Sequence, residues 1–186
     1  LPDGRIMFCS TRCNSWVACG WYKVTTLHCC DGDGGNLRKI SSNIVNEDTP
    51  WMLPDGRVLY MRWEYVDRNQ LAFHHLWTAN PDGTGQMVFY GNQYPGTAAM
   101  NAQPGSVPGK HPGIAMLDAK PIPGTNKVVA SFSPRHGRPE HMGGVTVVDP
   151  ESGPDKQDAV RRISSNTAWP SPQRGAPPPV SRSLRM

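Results

Sequence analysis

Cysteine and histidine side chains are the groups in this sequence best suited to bind a metal ion. All five cysteines lie within the first thirty residues: Cys9, Cys13, Cys19, Cys29 and Cys30. Their spacing contains neither the Cys-x-x-Cys pair of zinc ribbons and thioredoxins nor a Cys-x-x-Cys-His haem motif. Because thiolate and imidazole ligands suit zinc, Cys13, Cys19 and His28 form one candidate zinc site. We favour the alternatives of a Cys13–Cys19 disulfide or free buried thiols.

A second polar cluster lies in the segment SPRHGRPEHMGG. Its two histidines, His136 and His141, are spaced so that neutral imidazoles on a loop could hold a transition metal. The segment also carries Arg135, Arg138 and Glu140, and we favour its interpretation as a hydrogen-bonded, arginine-rich loop. Because these five residues form the densest polar cluster in the sequence, we predict that they face a ligand. The two histidines are the candidate metal ligands.

Carboxylates suggest two further sites, and both have a simpler structural explanation. Asp31, Asp33 and Asn36 in DGDGGN could supply oxygen ligands to calcium, but the twelve-residue calcium-loop pattern is absent and we predict a turn. Glu64 and Asp67 could act as acid and base, but a carboxylate beside arginine more often forms a structural ion pair. The sequence has no Gly-x-Ser-x-Gly elbow, P-loop or dinucleotide fingerprint. We therefore favour the absence of catalytic activity and of a cofactor in this chain alone, with a bound zinc or calcium ion as the alternative.

An internal repeat predicts the elements that position these residues. LPDGRIMF at 1–8 recurs as LPDGRVLY at 53–60 and, more weakly, as IPGTNKVVA at 122–130. A second element follows each copy: DGDGGNLRKISSN at 31–43, NPDGTGQMVFYGN at 80–92 and DPESGPDKQDAVRRISSN at 149–166. Asp-Gly supplies the positive φ of a tight turn, and apolar runs of strand length follow the first element. Without helical periodicity elsewhere, the pattern predicts an all-β fold.

A period of about 50 residues with three or four strands is typical of a β-propeller blade. The repeat divides the chain into blades at 1–43, 44–92 and 118–166, an inserted loop at 93–117 and a proline-rich irregular tail at 167–186. Closed propellers take about four to eight blades. We therefore expect a partial propeller of about three four-stranded blades, a fragment of a propeller of roughly six to eight.

Composition and charge exclude other classes of protein. Glycine and proline number 19 each, which suits a chain rich in turns. No apolar run approaches the roughly 18 residues of a membrane helix, so no membrane span is expected. The net charge of +4 comes from scattered basic pairs rather than a basic stripe with interleaved aromatics, so no nucleic-acid partner is expected.

The repeat units resemble those of WD-repeat-like propellers of the periplasmic Tol-system type. Longer segments are similar to the middle propeller domain of hydrazine synthase alpha-subunit-like proteins, which are large exported bacterial proteins. The similar segments are RWEYVD at 62–67, NPDGTGQMVFYGN at 80–92, residues 119–150 and RRIS at 161–164. The resemblance covers about residues 1–166 and implies a periplasmic or secreted location, although the sequence shows no signal peptide.

The resemblance also implies a function. Propellers of this kind bind a protein, glycan or small ligand at one face, and this one would contact the remaining blades and domains of a longer protein. Hydrazine synthesis uses haem c, for which this sequence lacks the attachment motif. We therefore favour a binding or scaffold module over the alternative, a propeller domain of a larger redox or metal-dependent enzyme whose cofactor lies in another domain.

Overall fold

The chain is all-β, as predicted. A computed structural model describes residues 1–65, 73–92, 115–133 and 143–164. The described strands are β1 (Ile6–Ser10), β2 (Thr26–Cys30), β3 (Arg38–Lys39), β4 (Glu47–Met52), β5 (Val58–Trp63), β6 (His74–Ala79), β7 (Met87–Tyr90), β8 (Ala115–Pro121), β9 (Val128–Ser133), β10 (Gly144–Val148) and β11 (Val160–Arg162). Two short 3₁₀ helices, Pro150–Ser152 and Gln157–Ala159, precede β11. Within these ranges, no helix is both long and apolar enough to span a membrane.

The strands form three successive antiparallel meanders. The first contains β1–β3, the second β4–β7 and the third β8–β11. A single parallel bridge between His74 and Ala115 joins the second meander to the third. Each meander coincides with one copy of the sequence repeat.

The third meander begins earlier in the chain than predicted. The sequence predicts an inserted loop at 93–117, but residues 115–117 belong to β8. Ala115, Met116 and Leu117 are apolar and buried, and they pair with residues of β9, which explains why they form a strand. The remaining loop residues, 93–114, and the tail from 165 onward lie outside the described residues.

The first turn of the repeat has the same hydrogen bonds in two copies. Gly4 and Gly56 have φ of 83° and 87°, a left-handed conformation that glycine adopts without strain. Asp3 accepts from the backbone N–H of Arg5 at 3.1 Å and from its Nε at 2.8 Å. The corresponding distances in LPDGR at 53–57 are 3.0 and 2.8 Å. The motif therefore recurs because the aspartate side chain closes the turn.

The second turn of the repeat contains the predicted calcium-like segment. Asp33 Oδ1 accepts from the backbone of Gly35 at 2.8 Å, and Asn36 donates to Asp31 at 2.6 Å. In the next copy Asp82 accepts from the backbone of Thr84 in the same way, at 2.9 Å. The side-chain oxygens of DGDGGN thus serve a turn, as predicted.

Apolar clusters join the faces of adjacent meanders. Leu27 of the first meander packs with Val58 and Tyr60 of the second. A larger cluster joins the second meander to the third through side chains that include Leu59, Leu76, Tyr90, Met116, Phe132 and Val148. The three meanders therefore pack as successive layers.

The longer connections emerge from one edge of these layers. Successive strands of a meander run in opposite directions, so alternate connections share an edge. Both turns of the repeat lie at one edge, which we call the turn edge. The connections β1–β2, β5–β6 and β9–β10 leave from the other, the loop edge. One buried cluster joins the loop edges of all three meanders: Val17, Val24, Val45, Met61, Trp63 and Leu117.

Candidate functional site

A small hairpin within the β1–β2 connection projects from the loop edge. Val17 N–H donates to the carbonyl of Tyr22 at 2.9 Å, and Val24 N–H donates to Ser15 at 2.9 Å. Trp16 and Lys23 form an antiparallel bridge, and Gly20 N–H closes the turn onto Val17 at 3.2 Å. We call residues 15–24 the aromatic hairpin.

The base of the aromatic hairpin is anchored in the core. Val17 and Val24 are buried in the loop-edge cluster. The Cys13 thiol donates to the Val24 carbonyl at 3.2 Å. The backbone of Thr25 donates to Asn46 at 3.1 Å, which ties the hairpin to the chain entering the second meander. These contacts fix the position of the hairpin relative to its neighbours.

The aromatic hairpin exposes three large aromatic side chains. Trp16, Tyr22 and Trp21 are 54%, 68% and 94% exposed. Trp16 and Trp21 line an open hollow of about 430 Å³ together with Ala18, Cys19 and Gly20. A concentrated group of exposed apolar side chains typically marks an interaction site.

Lys23 is the one charged side chain of the aromatic hairpin, and the Asp48 carboxylate lies at its base, where it accepts from the Thr25 hydroxyl at 2.9 Å. Residues 10–25 contain Arg12 and Lys23 and no carboxylate side chain. Lys23 Nζ lies 5.5 Å from the centroid of the Trp16 ring and donates to Asn14 Oδ1 at 2.8 Å. These contacts hold a cationic group beside the exposed tryptophan.

Aromatic rings also stack beneath the hairpin, where β5 ends and β6 begins. Trp63 stacks on Tyr65 with ring centroids 5.6 Å apart and on His74 at 5.0 Å. Burial, and then the neighbouring Cys19, raise the pKa of the Tyr65 hydroxyl above its ordinary value.

A buried acid lies between the first two meanders. Glu47 is fully buried, accepts from the Ser41 hydroxyl and pairs with Arg62 Nη1 at 3.3 Å. Arg62 also donates to Gln86 at 3.1 Å, and its guanidinium lies 4.7 Å from the Trp77 ring centroid. Burial raises the pKa of Glu47, against the opposing effects of Ser41 and Arg62. Since these groups tie two meanders together without access to solvent at Glu47, we interpret them as structural.

The structure does not bring the three residues of the candidate zinc site together as a ligand set. Cys13 is half-buried at the hairpin base, Cys19 is exposed at its tip, and His28 is buried in β2. His28 Nδ1 is 3.0 Å from the Thr26 carbonyl, and the ring stacks on Phe8. Across the described ranges, no group of three His, Cys, Asp or Glu residues could hold a metal.

All five cysteines are free thiols, so Cys13 and Cys19 are not joined by a disulfide. Cys29 and Cys30 are buried, in keeping with the free-thiol alternative. Burial raises the pKa of Cys9 to about 12, which keeps that thiol neutral.

The arginine-rich segment lies outside the described residues. Arg135, His136, Arg138, Glu140 and His141 all belong to it. The chain enters the segment after Ser133 and leaves it at Gly143, next to the described ends of β9 and β10. Those strand ends lie at the loop edge. Because the segment itself is not described, the interpretation that these residues face a ligand remains a prediction.

The other candidate residues are only partly described. Glu64 N–H donates to the Phe73 carbonyl at 2.8 Å, and Asp67 falls outside the described residues. His74 and His75 are adjacent in β6 and therefore face opposite sides of the sheet, as their positions in a strand predict.

Sequence reasoning missed the aromatic hairpin. Its signal was the segment NSWVACGWYK, in which three aromatic residues accompany glycine and a basic residue without any acid. If this segment were a regular strand, every second side chain would face a core, and part of the aromatic group would be buried. The exposure of the rings follows instead from the tight turn at 17–20, which carries Trp21 away from the sheet.

No protein-family model matches the chain, and no curated protein matches it significantly. The similarity to Tol-system and hydrazine synthase alpha-subunit-like propellers therefore stays a prediction from sequence motifs.

Proposed function

We propose that this chain is a non-catalytic binding module built from β-propeller blades, with the aromatic hairpin as the main part of its binding face. Three features support the blade interpretation: the repeat of about 50 residues, one antiparallel meander for each copy, and apolar packing between successive meanders. In this proposal, the module functions in the periplasm or outside the cell as part of a longer protein.

The observation that carries the proposal is the exposure of Trp21 beside Trp16 and Tyr22 on an anchored hairpin. Aromatic side chains bury about 150–250 Å² each when covered, so they provide most of the energy of many binding surfaces. A rigid base lowers the entropy lost when a ligand orders the site. An aromatic group that is anchored below and open above is suited to binding rather than to packing within the chain.

The proposal is tested by comparing variants at the two edges. We would probe arrays of glycans and peptides with the wild-type chain, with Trp21→Ala/Tyr22→Ala and with Trp51→Ala. Trp51 is a matched control because it is an exposed tryptophan in β4 near the turn edge. We expect the ligands of the wild type to be lost by the double variant and kept by Trp51→Ala.

The opposite pattern would contradict the proposal. If the double variant retains the wild-type circular dichroism spectrum and binds every ligand unchanged, the loop edge is not the binding face. Loss of binding in Trp51→Ala alone would assign the ligand to the turn edge instead.

A further inference from the structure

We infer that the ligand of the aromatic hairpin is an acidic oligosaccharide, a chain of sugar rings carrying carboxylate groups. The inference rests on the proposed function and adds the chemical class of the ligand. It combines the exposed tryptophan faces, the charge of the hairpin and the size of the surface.

The exposed rings suit the apolar face of a sugar. An aromatic ring carries partial negative charge on its face. The C–H groups on one side of a pyranose carry partial positive charge, so they pack favourably against such a face. Trp21 is 94% exposed, and Trp16 lines the same hollow. Two platforms beside an open hollow can therefore contact successive sugar rings.

The charge of the hairpin favours an anionic ligand over a cationic one. Aromatic groups also bind quaternary ammonium ions, but Lys23 already places an ammonium 5.5 Å from the Trp16 ring. Within the hairpin no carboxylate offsets the charge of Lys23, and the Asp48 carboxylate at its base accepts from the Thr25 hydroxyl at 2.9 Å. An ammonium has three N–H donors, and Asn14 accepts from Lys23 at 2.8 Å, which leaves donors for a ligand carboxylate.

The size of the surface favours an oligosaccharide over an acidic protein. Three aromatic side chains cover about 450–750 Å² when buried completely. A standard protein interface needs about 800 Å² from each partner. The exposed rings of the hairpin therefore fall short of a standard protein interface by themselves, and they are sufficient to contact a ligand of a few sugar rings.

Calorimetric titration of the full chain tests the inference. The acidic probes are linear tetrasaccharides of galacturonate, mannuronate and glucuronate, and the neutral probe is a glucose tetrasaccharide. We expect at least one acidic probe to bind and the neutral one to bind at least about tenfold more weakly. Trp21→Ala should weaken acidic binding about tenfold or more, and Trp51→Ala should leave it unchanged.

Lys23→Gln separates the contribution of charge from that of stacking. It should weaken acidic binding and reduce its salt dependence, because one screened ion pair is removed. It should leave the weaker binding of the neutral probe unchanged.

Several results would overturn the inference. These are the absence of binding by all three acidic probes, equal binding of the neutral probe, and full binding to Trp21→Ala. Poly-glutamate serves as an acidic probe without sugar rings. If it alone binds, and its binding is lost in Trp21→Ala, the sugar assignment is overturned and the proposed function stands. Acidic-sugar binding that is lost only in Trp51→Ala would overturn both.

Discussion

At the scale of single residues, Glu47 is the side chain whose ionisation should affect stability. It is fully buried, and burial raises its pKa above the ordinary 4.5. The folded state therefore binds a proton more tightly than the unfolded state between pH 4.5 and the raised value. The stability that this difference contributes is complete below the ordinary pKa. This contribution is lost as the pH rises through that window. Above the folded pKa, the ionisation of Glu47 no longer changes the free energy of unfolding.

Glu47→Gln tests this expectation because glutamine does not titrate, and its single side-chain oxygen can still accept from Arg62 while its amide N–H donates to the Ser41 hydroxyl oxygen. We expect the free energy of unfolding of the wild type, relative to the variant, to fall as the pH rises from about 4 to neutrality. Urea denaturation at several pH values measures the difference. Glu47→Ala should be destabilised at every pH, by about 1–3 kcal/mol, since it removes the buried acceptor of both the Ser41 hydroxyl and Arg62. Parallel pH profiles for the wild type and Glu47→Gln would contradict the account.

At the scale of elements, the turns should differ in their tolerance of a side chain. Gly56 and Gly83 both have positive φ, at 87° and 89°. A Cβ on Gly56 would meet nothing within 4 Å, whereas one on Gly83 would collide with the backbone carbonyl of Ile40. Gly56→Ala should therefore cost only the backbone strain, about 1–2 kcal/mol.

Gly83→Ala should cost clearly more than Gly56→Ala, because Ile40 follows β3 and the collision would separate the first meander from the second. The free energies of unfolding of the two variants, measured in urea, give the comparison. Equal costs would show that the two meanders do not pack as the structure has them.

Sequence patterns predicted some of these elements better than others. The strands β1, β5 and β9 follow recognisable turns and have apolar strand-length runs. β4 carries no such pattern, because Glu47, Asp48 and Pro50 are poor strand formers. It forms through its pairing with β5 and the burial of Glu47, which are tertiary contacts that no local pattern reveals. The site was missed for a similar reason, since composition alone does not separate an exposed tryptophan from a buried one.

At the scale of the whole molecule, the three meanders are equivalent in sequence but not in surroundings. By the repeat, β1 corresponds to β5 and β9. Each of those two strands pairs on both sides, whereas β1 pairs only with β2 among the described residues. β5 is largely buried, and β1 is half-exposed throughout, with Ile6 exposed at its start. The outer edge of β1 is thus the position at which a fourth strand would complete the first meander.

Amide hydrogen exchange tests this difference. An edge strand opens more readily than a central one, so β1 amides should exchange faster than those of β5 and β9. Mass spectrometry of peptides covering residues 6–10, 58–63 and 128–133 makes the comparison within one sample. Equal protection of β1 and β5 would mean that β1 has a partner strand on its outer edge.

The central claim is that the aromatic hairpin forms the binding face, and the indole N–H signals of the tryptophans test it most directly. In a ¹⁵N-correlated NMR titration with the tightest-binding array ligand, we expect the signals of Trp16 and Trp21 to shift. That of Trp51, in β4 near the turn edge, should stay in place. Assignment would come from single Trp→Phe variants. A ligand that binds while shifting the Trp51 signal and leaving those of Trp16 and Trp21 unchanged would contradict the account.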